Sequence, residues 1–329
     1  MLTKYIEIKK NLINDLQFCC VNIKIKSMIL LNPLSLIICI TVSIVLGIGF
    51  GLLITWLFGK FPESWLQDYG VKETDPDYRI SKRMRWKPEG IVACAICAVC
   101  YIVAVIFCGN SYIGESFKPL HLLVIVLLIP DLILVMMSDK LNRIIPDQFS
   151  AYIAIVGVLS VVSDLTEGSV WFTPEAKWYL PILNKIIASV VGGGVVWIIG
   201  VVSITFFGKE SIGMGDMRLL FATGLITGCY GIIVLIYVAI FSALIFAIPL
   251  LVRKRKRIAQ EKAMIKAAED PRKAKLELQR EKAKIHFAED PDYMAFGPFL
   301  ALGCGVFCIM EPFFYERMLN IINILGVHF

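Results

Sequence analysis

Long apolar stretches alternate with short polar segments along most of the chain. They cover residues 28–58, about 91–108, 120–137, 149–162, 181–207, two runs within 219–252, and about 296–310. A helix needs roughly 20 apolar residues to cross a bilayer. The run 219–252 is too long for one span, and Gly228-Cys-Tyr-Gly231 predicts a turn between two helices. The pattern predicts an all-α, polytopic integral membrane protein with about eight transmembrane helices.

Composition supports this class. The 329 residues are 57% hydrophobic and only 18% charged, with a mean hydropathy of +0.73. A soluble domain could not bury so many runs of spanning length. No short apolar segment near the start precedes a small-residue cleavage site and a soluble body, so a secretory signal peptide is not expected.

The polar segments divide the chain into regions. Residues 1–27 form an N-terminal tail or amphipathic segment, 28–58 the first membrane helix, 59–90 a short loop, 91–252 a membrane core, 253–292 a charged helical insert, and 293–329 the last membrane helix and a tail. The insert contains a repeat: Gln260–Pro271 recurs as Arg280–Pro291. Helix formers followed by proline predict two short helices there, as a solvated spacer or as a contact with anionic lipid or a partner.

Basic residues are concentrated in alternate loops. The loops 59–90, 138–148, 208–218 and 253–295 carry most of them, whereas 109–119, 163–181 and 228–231 carry almost none. The positive-inside rule places the basic side in the cytoplasm, so we expect a multi-pass protein of the inner or plasma membrane. The lysines of residues 1–27 then lie on the other side, which conflicts with the rule.

Ten cysteines do not predict a metal site. Cys94, Cys97 and Cys100 have ligand-like spacing, but they would form one stripe on a helix, without a His or a second Cys pair to complete four ligands. Small apolar packing is the favoured interpretation.

Two carboxylates are predicted at the same depth. Asp139 and Asp216 lie at the basic ends of membrane helices, and Asp216 follows Gly213 and Gly215 in a turn that permits close approach. Paired carboxylates that share a proton can activate water and protonate a carbonyl, which is the chemistry of peptide hydrolysis. Ser-His and Cys-His constellations are lacking in this sequence, which has three histidines.

Other functions of the acids remain open. Asp131, Asp139 and Asp216 could line the path of an ion-coupled transporter or channel, because intramembrane acids often do. Asp131 follows Pro130 and is interpreted as part of a kinked helix or as a support of the same cavity. Asp147 is predicted to cap the next helix, and Glu210 either orients the Asp216 loop or faces water.

Five stretches, in order, resemble type 4 prepilin peptidases, the GxGD class of membrane aspartyl proteases. They are Gly49–Pro62, with Thr55 where Asn is usual and Lys60 where Arg is usual, Ile80–Glu89, Asp139 with Ile144-Ile-Pro-Asp147, Gly208–Leu220, and Ala295–Ala301. The resemblance covers nearly the whole chain from about residue 45.

The resemblance implies a function. It makes Asp139 and Asp216 the catalytic pair, and it implies that the enzyme removes the leader of type IV pilin-like precursors on the cytoplasmic face, just before an apolar helix. The basic residues Lys140, Arg143, Lys209 and Arg218 could hold acidic positions of the substrate or anchor the cytoplasmic side. The expected partners are these precursors and the bilayer, with no nucleic acid.

The chain departs from the family in the first loop. Many relatives carry two Cys-x-x-Cys pairs there, thought to bind zinc and to accompany N-methylation from S-adenosylmethionine. Residues 59–90 contain no cysteine. We therefore expect no zinc, no cofactor for proteolysis, and a role for S-adenosylmethionine only if methylation is retained. The insert 253–292 is also longer than the family leads us to expect.

Overall fold

A computed structural model describes residues 33–67, 74, 78, 80–113, 118–172, 177–207, 213–267, 270–283 and 294–324. Every regular element in these residues is helical, as predicted. The main helices are α1 (Pro33–Lys60), α2 (Ile91–Ile113), α3 (Pro119–Asn142), α4 (Asp147–Glu167), α5 (Leu180–Phe207), α6 (Met214–Ala267), α7 (Pro271–Ala283), α8 (Gly297–Ile309) and α9 (Glu311–Ile324). The tail 1–27 lies outside the described residues.

Six of the described helices are long and apolar enough to cross a membrane, and α8 with the start of α9, bent by 76°, would make a seventh. The predicted count of about eight is therefore not confirmed. The difference lies in α6, which counts as one helix although the sequence predicts two spans within it. The multi-pass class itself is confirmed.

The chain reverses direction inside α6. Gly228 has a φ of 68° and a ψ of −179°, outside helical values, at the predicted turn. A Cβ atom on Gly192 would lie 2.9 Å from Ile232 Cγ1 and 3.5 Å from the Leu220 carbonyl oxygen. A straight helix would hold residues 220 and 232 about 18 Å apart. The two parts of α6 therefore run side by side in opposite directions.

The second part of α6 continues beyond the predicted end of the membrane core. It runs without a break through Arg253-Lys-Arg-Lys-Arg257 to Ala267, so the first repeat copy extends a membrane helix instead of forming a separate one. Good helix formers throughout this segment explain the continuation. Most of the second copy lies outside the described residues.

Helix α3 is the most buried of the spanning helices among the described residues. It packs against α2, α4 and α8. On the outside of this core, α1 approaches α2 closely, because Gly47 and Gly51 face the backbone at Ala98 and Cys94, where any Cβ atom would collide. Small residues allow such contact between membrane helices. Cys94 thus has the packing role that was favoured for it.

A polar network closes the end of the bundle opposite Asp139. The first turn of α3 donates backbone N–H groups of Leu120 and His121 to the Glu167 carboxylate, at 2.7 and 3.0 Å. The buried Lys185 ammonium contacts Asp164 at 2.7 Å and also donates to Ser160. At this end α4 is therefore joined to α3 by hydrogen bonds from the backbone to a carboxylate, and to α5 by an ion pair.

Pro130 interrupts the hydrogen bonds of α3 in the middle of the span. Proline has no N–H, so the carbonyl of Val126 loses its helical partner. The Tyr101 hydroxyl from α2 donates to this carbonyl at 2.8 Å. In hydrocarbon an unsatisfied carbonyl is costly, so Tyr101 compensates for the proline and joins α2 to α3.

We predict that Tyr101→Phe destabilises the protein by about 1–2 kcal/mol, because it leaves the Val126 carbonyl unsatisfied while keeping the aromatic ring. Unfolding in mixed micelles by a denaturing detergent measures this change. Tyr237→Phe is the control, since Tyr237 is exposed on α6. Equal stability of the two variants would contradict the role of the Tyr101 hydroxyl.

Candidate active site

Asp139 lies in the last turn of α3 and is 6% exposed. The backbone N–H of Gly297, the first residue of α8, donates to its Oδ2 atom at 2.9 Å. The N-terminus of a helix carries partial positive charge and free N–H groups, which suit a carboxylate. Asp139 is therefore held against the start of the last membrane helix.

Asp216 lies in the first turn of α6 and is partly exposed. It follows Gly213, whose Cβ position would be 3.7 Å from Asp216 Oδ2. The Asp139 and Asp216 carboxylates lie close enough to interact electrostatically. The structure thus brings together the two acids that the sequence predicted to share a depth.

Ile145 joins the three segments that form the site. It lies in the turn after α3, and a Cβ on Gly215 would be 3.0 Å from its Cβ. On its other side, a Cβ on Gly297 would be 2.8 Å from Ile145 Cδ1. Both glycines are needed because a larger residue would push the segments apart. The two aspartate motifs and the start of α8 therefore meet around one buried isoleucine.

The first loop is attached to the same end. The Asn142 side chain accepts a hydrogen bond from the Lys82 N–H at 2.8 Å and donates to the Lys82 carbonyl at 3.1 Å. Within the loop, Glu63 accepts hydrogen bonds from Ser81 and Arg83. Burial alone would raise the pKa of Glu63, but these bonds and one from Gln67 lower it to about 2. The loop ends are thus tied to the helix that carries Asp139.

The predicted rim residues have different positions. Lys140 is exposed. Arg143 ends α3 in a left-handed conformation with a φ of 61°, and its charge lies close enough to attract Asp139. Lys209 and Glu210 lie outside the described residues.

The interpretation of Asp147 as a side-chain cap is wrong. Asp147 is the first residue of α4, where no side chain caps the helix, and its carboxylate pairs with Arg218. Arg218 lies two residues after Asp216, and Asp147 follows the turn that leaves Asp139. This ion pair therefore connects the two aspartate motifs, and Arg218 is occupied within the protein rather than simply presented at a rim.

Asp131 is buried in α3, and its Oδ2 atom has no hydrogen-bond partner among the described residues. The hydroxyl of Tyr152, on α4, is within electrostatic range. The structural and the supporting interpretations of Asp131 both stay predictions.

Sequence reasoning assigned no role to Gly297 and did not single out Asn142. The Gly-Pro pair at the start of α8 is a signal for a helix N-terminus, which could have pointed to an anion site. Asn142 gives no comparable signal, since its partner Lys82 is distant in sequence. Among the described residues no group of three or more His, Cys, Asp or Glu side chains could hold a metal ion.

Comparison with known proteins identifies the region around this site. Residues 122–248 match the type IV leader peptidase family. No curated protein and no solved structure matches the chain. The matched residues include Asp139, Asp216, Ile145 and the Asp147–Arg218 pair. Over these residues the chain is similar to the type IV leader peptidase family, in agreement with the resemblance that its motifs carry.

Proposed function

We propose that this protein is an intramembrane aspartyl endopeptidase that removes the leader of type IV pilin-like precursors at the cytoplasmic face of the membrane. The convergence of Asp139 and Asp216 from two separate motifs carries the proposal. Both lie within the segment that matches the leader peptidase family. Neither the family match nor the geometry favours the transporter alternative.

Two carboxylates with different surroundings can divide the chemistry. The Gly297 N–H and the nearby Arg143 stabilise negative charge on Asp139. Asp139 is therefore proposed to take a proton from the attacking water, while Asp216 gives its proton to the carbonyl oxygen of the peptide bond. As the tetrahedral intermediate breaks down, the proton on Asp139 passes to the leaving nitrogen, and a hydroxyl of the intermediate returns a proton to Asp216, which restores both carboxyl groups. This sequence of steps uses no covalent nucleophile.

The position of Asp139 and Asp216 in the membrane determines which peptide bonds of a substrate can reach them. Asp139 ends a spanning helix and Asp216 begins one, so a substrate bond between them lies at the membrane boundary. The basic loops 59–90 and 138–148 meet at this end through Lys82 and Asn142. The positive-inside rule supports placing this end in the cytoplasm, as in the sequence-based topology.

We predict that Asp139→Asn and Asp216→Asn each lower the cleavage of a co-expressed pilin-like precursor by about 1000-fold or more, because neither Asn can transfer the required proton. Immunoblotting of precursor and mature forms measures this loss. Asp131→Asn, also buried on α3, is the control and keeps substantial activity. Full cleavage by either of the first two variants would exclude the dyad.

We predict that Gly297→Ala lowers activity by about 10- to 100-fold, since displacing a catalytic group disturbs the reacting geometry. Its Cβ would lie 2.6 Å from Asp139 Oδ2. Gly305→Ala on the same helix is the matched control, because its Cβ would meet Leu132 at an ordinary 3.5 Å. Initial rates with purified enzyme in liposomes compare the two, and equal rates would remove Gly297 from the site.

Methylation is the less supported activity. Because the loop 59–90 has no cysteine, we propose that the cleaved product keeps an unmodified N-terminus. Mass spectrometry of the mature product after incubation with S-adenosylmethionine tests this expectation. A product heavier by one methyl group would show that methylation is retained without the cysteine pairs.

A further inference from the structure

An apolar groove opens beside Gly213 and the first turn of α6, between α5 and α6. It has a volume of about 110 Å³ and is lined by Val196, Trp197, Gly200, Val201, Ile204, Gly213, Met214 and Met217. Cavities of similar size in protein interiors admit small aromatic molecules. The groove lies on the outer surface of the bundle, where Trp197, Ile204 and Met214 are largely exposed.

The groove exists because α5 and α6 separate toward the active-site end. Deeper in the bundle they touch: a Cβ on Gly224 would lie 2.5 Å from the Ser189 Cα. Nearer the site, Gly200 on α5 has nothing within 4 Å of its Cβ position. Because Gly200 has no side chain, the backbone of another helix can approach α5 closely at this position in the groove.

The groove is continuous with the first turn of α6, which carries Asp216. Gly213 lines its wall, and the Cβ position of Gly213 is 3.7 Å from Asp216 Oδ2. From Ile204 to Val196 the α5 wall extends about 12 Å into the membrane, at 1.5 Å per residue. A chain that lies in the groove therefore reaches Asp216 at one end and hydrocarbon at the other.

We propose that this groove holds the apolar membrane segment that follows the cleavage site of the substrate. The inference rests on the proposed function. A peptide bond that reaches two carboxylates at a membrane boundary belongs to a substrate with a segment embedded in the membrane. The apolar lining of the groove suits such a segment. Met214 and Met217 are flexible side chains that adapt to different apolar partners. The groove would thus align the scissile bond with the carboxylates.

A photocrosslinking pair tests occupancy. Val201 and Val202 are adjacent on α5 and equally exposed, at 44% and 45%, but only Val201 lines the groove. A benzophenone amino acid replaces each in the full chain, reconstituted with a precursor whose short leader precedes about 20 apolar residues. We expect the precursor or its product to label at position 201 and not at 202. Equal labelling, or lipid adducts alone, overturns the proposal.

A blocking pair tests the effect on rate. Gly200→Trp fills the groove, whereas Gly194→Trp adds the same side chain to α5 outside it, at another position with open space. We expect Gly200→Trp to slow processing at least about tenfold, because the scissile bond is misplaced. Gly194→Trp should change the rate by less than about twofold, because nothing lies within 4 Å of its Cβ position and the position does not line the groove.

The results separate the groove from the function. If the wild-type enzyme processes the precursor but Gly200→Trp does so at the same rate, the groove is overturned and the peptidase stands. If the wild-type enzyme does not process the precursor, the proposed function fails and the groove with it. Slow processing by Gly200→Trp together with selective labelling at Val201 supports both.

Discussion

Hydrocarbon offers no hydrogen bonds, so the polar groups of the central helix α3 must be satisfied by the protein. At its start, Glu167 accepts two backbone N–H groups. At its middle, Tyr101 replaces the bond that Pro130 removes. At its end, the Gly297 N–H holds Asp139. The last of these contacts belongs to the candidate site, so one constraint both stabilises α3 and orients a carboxylate that we propose to be catalytic.

The reversal of α6 has a similar effect on Asp216. Because the chain turns at Gly228, the part of α6 that begins with Met214 has only about 14 residues, or roughly 21 Å. The turn is fixed at the far end of the bundle, where Asn184 accepts the Cys229 N–H at 3.1 Å. A helix of this length, anchored there, carries Asp216 back to the level of Asp139. The position of the turn at the far end of the bundle therefore helps to set the depth at which Asp216 lies.

Local pattern was enough to predict the helical class, the turn at Gly228 and the two aspartates. Apolar runs and paired glycines are properties of short segments, and each determines local structure: the runs form helices, and the glycines permit turns. The Asp139–Gly297 bond joins residues 158 positions apart, and no periodicity reports such a contact. The Asp147–Arg218 pair was missed for the same reason. A proline before an acid predicts a helix cap locally, but a distant guanidinium competes for the same carboxylate.

The paired charges at the site affect how a substrate could be recognised. The sequence offered a basic rim, but two of its members have partners within the protein: Arg218 binds Asp147, and Arg143 lies near Asp139. In the first loop, outside that rim, Arg83 binds Glu63. Part of the positive charge from which the sequence-based topology was inferred is therefore used to hold the loops together. Fewer charges are left for acidic substrate positions than the sequence count implies. For the proposed substrate, whose apolar segment the bilayer would also confine, apolar contact in the groove beside Gly213 then becomes the stronger source of alignment.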